Sequence, residues 1–257
     1  MSTRLQGRRA LVTGASSGIG REVALRFAAE GAAVACGGRD EERTRATVDR
    51  ITGAGGTAVS VVGDVSDAAG AEGVVQAAVA ALGGLDAVVN NAGIDATEWK
   101  PVDEWPVEEF DLLIRTNLRG PFLVAKYAIP HLLEAGGGAI VHMSSVCAIT
   151  VWSGDCGYDI SKAGLNMLSD HIAVEYGPRG IRSNTLMPGV IATELHESVM
   201  TAMNDGRAFE RELLSRHPIG RFGDVAEVAD ACVFLCADEA GFLTGANISI
   251  DGGYSRV

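Results

Sequence analysis

Apolar positions follow two alternating rhythms along this chain. Short continuous runs such as Ala10-Leu11-Val12-Thr13 and Gly138-Ala139-Ile140-Val141-His142-Met143 have the length and residue types of buried strands. Between such runs lie longer stretches in which apolar residues return every three to four positions, the period of an amphipathic helix. The pattern predicts strands near positions 9–14, 32–37, 57–63, 85–90, 138–145, 180–186 and 246–251. It predicts helices from the first glycine cluster to 30, over 40–53 and 67–82, from about 107 onward, and over 156–177 and 224–237, with a variable helical segment over 192–215. Alternation of this kind argues for an α/β fold, a parallel sheet covered by helices on both faces. No linker, charge block, low-complexity stretch or repeat divides the 257 residues, so they read as one large unit.

Charge narrows the partners. The 33 Asp and Glu against 21 Lys and Arg give a formal net charge of -12, with no basic footprint for nucleic acid or an anionic membrane surface. No run approaches the ~18 continuous apolar residues of a membrane span. Met1-Ser2-Thr3-Arg4 is not followed by the apolar stretch of a signal peptide, so a cytoplasmic location is expected. Cys36, Cys147, Cys156, Cys232 and Cys236 are odd in number and form neither a disulfide nor a zinc framework. Cys232 and Cys236 lie one helical turn apart in an apolar pattern and read as small buried hydrophobes. The five histidines are scattered as well, and no metal site is expected.

Three segments carry candidate chemistry. Gly14-Ala15-Ser16-Ser17-Gly18-Ile19-Gly20 lies between a predicted strand and a predicted helix. Glycines there let the backbone turn and approach a pyrophosphate, whose charge is favoured at a helix amino terminus. Ser145 stands at the end of a predicted strand, and ligands of open α/β sheets bind at the carboxyl ends of strands. Tyr158 and Lys162 are four residues apart, which puts a phenol and an ammonium on one helix face. A cation beside a tyrosine favours the phenolate and moves the group toward acid–base work near neutral pH.

With these segments the chain resembles the short-chain dehydrogenase/reductase family from end to end. Thr13-Gly14-Ala15-Ser16-Ser17-Gly18-Ile19-Gly20 resembles its TGxxxGxG cofactor loop, and Asn90-Asn91-Ala92-Gly93 its NNAG motif. The resemblance implies a single Rossmann-fold domain over 1–257 with a doubly wound, seven-stranded parallel sheet. Residues 1–145 would form the cofactor half and residues 145–257 the catalytic and substrate half. It implies a catalytic tetrad of Asn117, Ser145, Tyr158 and Lys162. Tyr158 would exchange a proton with the substrate oxygen and Ser145 would hydrogen-bond it. Lys162 would lower the tyrosine pKa and hold the nicotinamide ribose, while Asn117 positions a water. Cofactor contacts are implied at Gly14, Ser16, Ser17, Gly18, Ile19, Gly20, Asp64, Val65, Asn91, Ala92, Gly93, Tyr158, Lys162, Pro188, Gly189, Ile191 and Thr193. A homotetramer is also implied, built through the long helices near 107–134 and 156–177 and the carboxyl-terminal strand.

The choice between nicotinamides turns on the end of the second strand. Family members using NAD(H) commonly carry an aspartate where Gly38 aligns, whereas Gly38 followed by Arg39 offers a guanidinium to a 2′-phosphate. NADP(H) is therefore favoured. NAD(H) stays open, because Ser16 and Ser17 bring no basic residue to the glycine loop and Arg39 has Asp40 and Glu42 as neighbours.

The resemblance puts the substrate between about 146–157 and 191–217. Val146, Trp152 and Met187 are candidates for its wall beside Ser145 and Tyr158, with Asp95, Trp99, Asp155, Glu194 and His196 as further approaches. Several acids and no basic cluster disfavour a bulky anionic substrate. A ketone, a secondary alcohol or the keto group of an acyl thioester stays open, and the segment from Gly220 to Gly253 is similar to the 3-oxoacyl-carrier-protein reductase branch. Three positions depart from the family pattern: Asp159, His142 and Ser183. The leading expectation is an NADP(H)-dependent carbonyl reductase. The alternatives are an NAD-dependent alcohol or sugar dehydrogenase, a lyase or epimerase on the same scaffold, and a catalytically silent dinucleotide-binding scaffold.

Overall fold

The computed structural model describes residues 3–97, 99–194, 196, 200 and 206–257. Its strands are β1 (Arg9–Thr13), β2 (Ala33–Gly38), β3 (Thr57–Val62), β4 (Ala87–Asn90), β5 (Gly138–Met143), β6 (Ile181–Pro188) and β7 (Asn247–Ile250). All seven join one parallel sheet in the order β3-β2-β1-β4-β5-β6-β7. The order reverses between β1 and β4, which is where a doubly wound sheet opens a crevice at its carboxyl edge. The described helices are α1 (Gly18–Ala29), α2 (Glu41–Gly53), α3 (Ala68–Leu82), α4 (Val107–Ile114), α5 (Gly120–Glu134), α6 (Cys156–Tyr176), α7 (Gly206–Ser215) and α8 (Val225–Cys236).

Alternate side chains of a strand point to opposite faces, so each central strand feeds two cores. Val12 joins Val34, Val89 and Val141 with Phe27 of α1 and Cys232 of α8. Its neighbour Leu11 joins Ala35, Val88 and Ile140 with Val75 of α3 and Val124 of α5. Burial on both faces is why these strands read as unbroken apolar runs. At the opposite edge of the sheet Arg9 anchors β1: its Nε and Nη2 donate to the two carboxyl oxygens of Asp86 at 2.7 and 2.9 Å.

Four predicted elements differ in detail. The single long helix expected from 107 is α4 and α5 joined by a π turn over Arg115–Arg119. Pro121, which has no N–H to continue the i to i−4 ladder, follows directly. The strand predicted to 145 ends at Met143, because Ser145 begins a short 3-10 turn and its Oγ accepts from Cys147 N at 3.2 Å. β6 runs beyond 186 to Pro188 by pairing with β7. Of the helical segment expected over 192–215, α7 is described, whereas 195, 197–199 and 201–205 lie outside the described residues. Among the described residues no helix is long and apolar enough to cross a membrane.

Candidate active site

Asp residues cap α2, α3 and α8: Asp40 accepts from Arg43 N, Asp67 from Gly70 N and Asp224 from Ala226 N. Helix α1 is different. Its N-cap residue Ser17 makes no side-chain capping bond, and its first turn holds no acidic residue. The first N–H groups of α1 and its positive dipole end therefore suit an anion. The glycines in front of it are required by close approach. A Cβ on Gly14, whose φ is +68°, would stand 2.8 Å from Asn91 Nδ2, and one on Gly20 would stand 2.2 Å from Gly14 O. Asn91 stitches this loop to β4 by donating from Nδ2 to Thr13 O at 3.1 Å and Gly14 O at 3.3 Å. These residues fit a dinucleotide pyrophosphate.

A cleft of about 550 Å³ runs along the carboxyl edge of the sheet from this loop. At one end lie Gly38, Arg39, Asp40, Arg43, Asp64 and Val65. Arg39 is largely exposed, with Nη1 3.9 Å from Asp64 Oδ2, rather than paired to Asp40 or Glu42. Arg43 forms an ion pair with Glu194, which Arg21 also reaches. A Cβ on Gly38 would come within 2.3 Å of Thr44 Oγ1, so an aspartate there would displace Thr44 from its 2.6 Å bond to Asp40 O. Gly14, Ser16, Ser17, Gly18, Ile19, Asn91, Ala92, Gly93, Pro188, Gly189, Ile191 and Thr193 also line the cleft. Gly20 does not. It is buried where α1 packs on the loop.

Ser145, Tyr158 and Lys162 share the middle of the same wall. Lys162 Nζ donates to Met143 O at 2.9 Å and lies 5.3 Å from the centroid of the Tyr158 ring. Ser145 lines the cleft beside the Tyr158 phenol and favours its charged form. Asn117 is wholly buried and off the wall: it accepts from Ile94 N at 2.9 Å and donates to Ile94 O at 2.8 Å. It backs Gly93, whose hypothetical Cβ would be 3.2 Å from Asn117 Oδ1 and 3.6 Å from Lys162 Nζ.

The expected lowering of the Tyr158 pKa is not found in the protein by itself. Burial pushes the phenol well above its usual value, Asp95 and Cys147 add to the effect, and the Ser145 side chain opposes it. Burial also lowers Lys162 to about 8, with Asp95 opposing. Desolvation disfavours both charged forms at once, which helix spacing could not reveal.

At the far end Trp99, Trp152 and Phe209 form an aromatic wall, with ring centroids 5.0 to 6.0 Å apart. Val146, Asp95 and Asp155 line this end as well. Met187 does not belong to it. It is buried inside the fold, where Asn166 Nδ2 donates to its sulfur at 3.3 Å. Odd and even residues of β6 face opposite ways, and Met187 points into protein. Phe209, Arg43 and Cys147 were not among the sequence candidates. Arg43 lies in the first turn of α2, four residues after Arg39, a readable signal, whereas Phe209 carries none outside its tertiary contacts.

A family model described as enoyl-(acyl carrier protein) reductase matches residues 14–255. The chain is 36% identical over 255 residues to a 2,5-dichloro-2,5-cyclohexadiene-1,4-diol dehydrogenase of Sphingobium indicum, covering 99% of both proteins. It is 37% identical over 252 residues to D-threitol dehydrogenase of Mycolicibacterium smegmatis, covering 98% of this chain and 94% of that one. The crystal structure of a short-chain type dehydrogenase/reductase from Mycobacterium marinum superposes with a TM-score of 0.92 at 34% identity, covering 99% of this chain and 98% of that one. A glycine-loop cleft of this shape, with matches over nearly the whole length, makes this chain a member of the short-chain dehydrogenase/reductase family, an oxidoreductase that uses a nicotinamide dinucleotide on CH–OH and C=O groups.

Proposed function

We propose that this protein interconverts a small, neutral secondary alcohol and its ketone with NADP(H), Tyr158 being the group that exchanges the proton. The observation that carries the reading is the convergence of Ser145, Tyr158 and Lys162 on one wall of the cleft that also receives the uncapped end of α1. The bound dinucleotide supplies or accepts the hydride. The chain's own residues do the remaining work. Ser145 and Tyr158 hydrogen-bond the reacting oxygen, and the phenol gives its proton to that oxygen in reduction or takes it in oxidation. The buried ammonium of Lys162 offsets the cost of the phenolate. Asn117 supports this arrangement from behind, by fixing Ile94 and Gly93 against the cleft.

For the cofactor, Arg39 and Arg43 bring two guanidiniums to the adenosine end, and an acid in place of Gly38 would have to displace the Thr44 hydroxyl. The Asp40 carboxylate on the same rim favours a second reading, an NAD(H)-dependent alcohol or sugar dehydrogenase, since an acid there repels a 2′-phosphate. A 3-oxoacyl thioester is the weaker substrate reading, since the similar proteins named as diol and threitol dehydrogenases favour an alcohol. Tyr158→Phe tests the central assignment: turnover of secondary alcohols should be lost while NADPH binding, followed by fluorescence titration, is retained. Turnover kept in that variant would remove Tyr158 from the proton step.

A further inference from the structure

The substrate end of the cleft holds a group that proton exchange at Tyr158 does not use. Asp155, Tyr158 and Lys162 stand at i, i+3 and i+7 on α6 and share one helix face. Asp155 lines the cleft, yet the residue is only 5% exposed. It occupies the N-cap position of α6 without making a capping bond, and its buried Oδ1 has no hydrogen-bond partner among the described residues. Elsewhere in this chain Asp40, Asp67 and Asp224 occupy the same position and spend an oxygen on the helix amides. A buried acceptor left without a donor costs stability, and this one lines a cleft, where the donor of a bound ligand reaches it.

Its surroundings narrow what that donor is. Asp95 faces it from the loop after β4, with Oδ1 accepting from Ala96 N at 2.8 Å. Asp159, one turn along α6, holds Trp152 N at 3.1 Å. Burial together with Asp95, Asp159 and Glu109 raises Asp155 to about 8, against the opposing Tyr158 backbone N–H, and so favours its protonated form, able both to donate and to accept. These carboxyls are not arranged to hold a metal ion among the described residues. Opposite them the Trp99, Trp152 and Phe209 wall is apolar. The ligand group beside Asp155 is therefore neutral, hydroxylated and attached to a compact carbon skeleton.

We propose that Asp155, backed by Asp95, hydrogen-bonds a second hydroxyl of the substrate, so that the cleft selects a vicinal diol and the α-hydroxyketone made from it. This rests on the alcohol–ketone reading of the site. Side chains one turn apart on one helix face stand close enough for the two oxygens of a vicinal diol to meet Tyr158 and Asp155 together. In oxidation the reacting carbinol gives its C–H electron pair and hydrogen as hydride to the oxidised nicotinamide and its O–H proton to the Tyr158 phenolate. The second hydroxyl keeps its bonds and is only held.

The test compares butane-2,3-diol with butan-2-ol, using NADP⁺ and NAD⁺, and reads the ratio of the two kcat/KM values. One hydrogen bond to a carboxyl group predicts a ratio of at least about tenfold in favour of the diol. Asp155→Ala should bring that ratio near one, and Asp155→Asn, which keeps a donor and an acceptor, should restore most of it. A wild-type ratio near one, or a ratio unchanged by Asp155→Ala, overturns the proposal. Absence of turnover for both alcohols with both nucleotides would instead defeat the alcohol–ketone reading. Quenching of the fluorescence of Trp99 and Trp152 then decides the Asp155 site alone: stronger quenching by the diol than by butan-2-ol, lost in Asp155→Ala, supports it, and equal quenching overturns it.

Discussion

The ammonium of Lys162 stands 5.3 Å from the centre of the Tyr158 ring, and both groups are held where their charged forms are costly. Neither is anchored to the other by a direct bond. Lys162 instead donates to the backbone of Met143 at the end of β5. The pair is thus positioned by the sheet, and its electrostatics act through space.

Across a separation of that order, at an effective dielectric of ~20, a unit charge is worth roughly 3 kcal/mol. Lys162→Met should therefore move the rising limb of kcat/KM for alcohol oxidation upward by up to about two pH units, the full shift applying where Lys162 is charged, because the phenolate then loses its cation. The sign follows from the charge: removing a positive neighbour raises the pH needed to deprotonate Tyr158. A pH–rate profile of the variant that overlays the wild type would show that Lys162 does not assist Tyr158.

Arg39 and Arg43 should both matter if a 2′-phosphate binds at the end of β2. A charge-assisted hydrogen bond contributes about 1.5–3 kcal/mol, so either alanine variant should raise KM for NADPH by about tenfold or more and leave KM for NADH nearly unchanged. Arg43 has to leave Glu194 to reach the phosphate, so Glu194→Gln should lower KM for NADPH. Unaltered NADPH kinetics in Arg39→Ala and Arg43→Ala would shift the reading to NAD(H).

His142 is fully buried on β5, where Asn90 Nδ2 lies 3.3 Å from its Nδ1 and its Nε2 has no hydrogen-bond partner among the described residues. Burial lowers its pKa to about 3. Below the ordinary value near 6.5 the unfolded chain takes up a proton that the folded chain refuses. Stability is thus unaffected by this group above pH 6.5 and falls as the pH drops from there toward 3. The loss from this residue is about 2 kcal/mol at pH 5. His142→Asn should flatten the dependence, so that Tm falls less between pH 7.5 and pH 5 than in the wild type. Parallel Tm curves would assign the acid sensitivity elsewhere.

Ile160, Met167 and Val174 are spaced by seven residues on α6 and are 50%, 57% and 77% exposed. An apolar stripe of that length favours a partner surface, and a second copy of this chain fits the expected homotetramer. Light scattering should give a mass well above that of one 26.7 kDa chain, and Met167→Glu should reduce it. A monomeric wild type would exclude the arrangement.

What could be read from the chain alone is what depends on near neighbours in it. Strand and helix periods, the glycine turn before α1 and the one-turn spacing of Tyr158 and Lys162 are local geometry, and each holds wherever the segment lies. Ends of elements were less legible. β5 stops at Met143 because Ser145 turns to cap Cys147 N, and the helix from 107 is broken just ahead of Pro121. Contacts across the fold were not legible at all. Met187, proposed for the pocket, is turned inward by the strand's alternation, while Phe209, some twenty residues on, supplies the wall. The tertiary structure also decided the direction of the Tyr158 and Lys162 shifts and brought Asp95 and Asp159 close to Asp155. Desolvation and convergence depend on which distant segments exclude water from a side chain, and no local pattern encodes that.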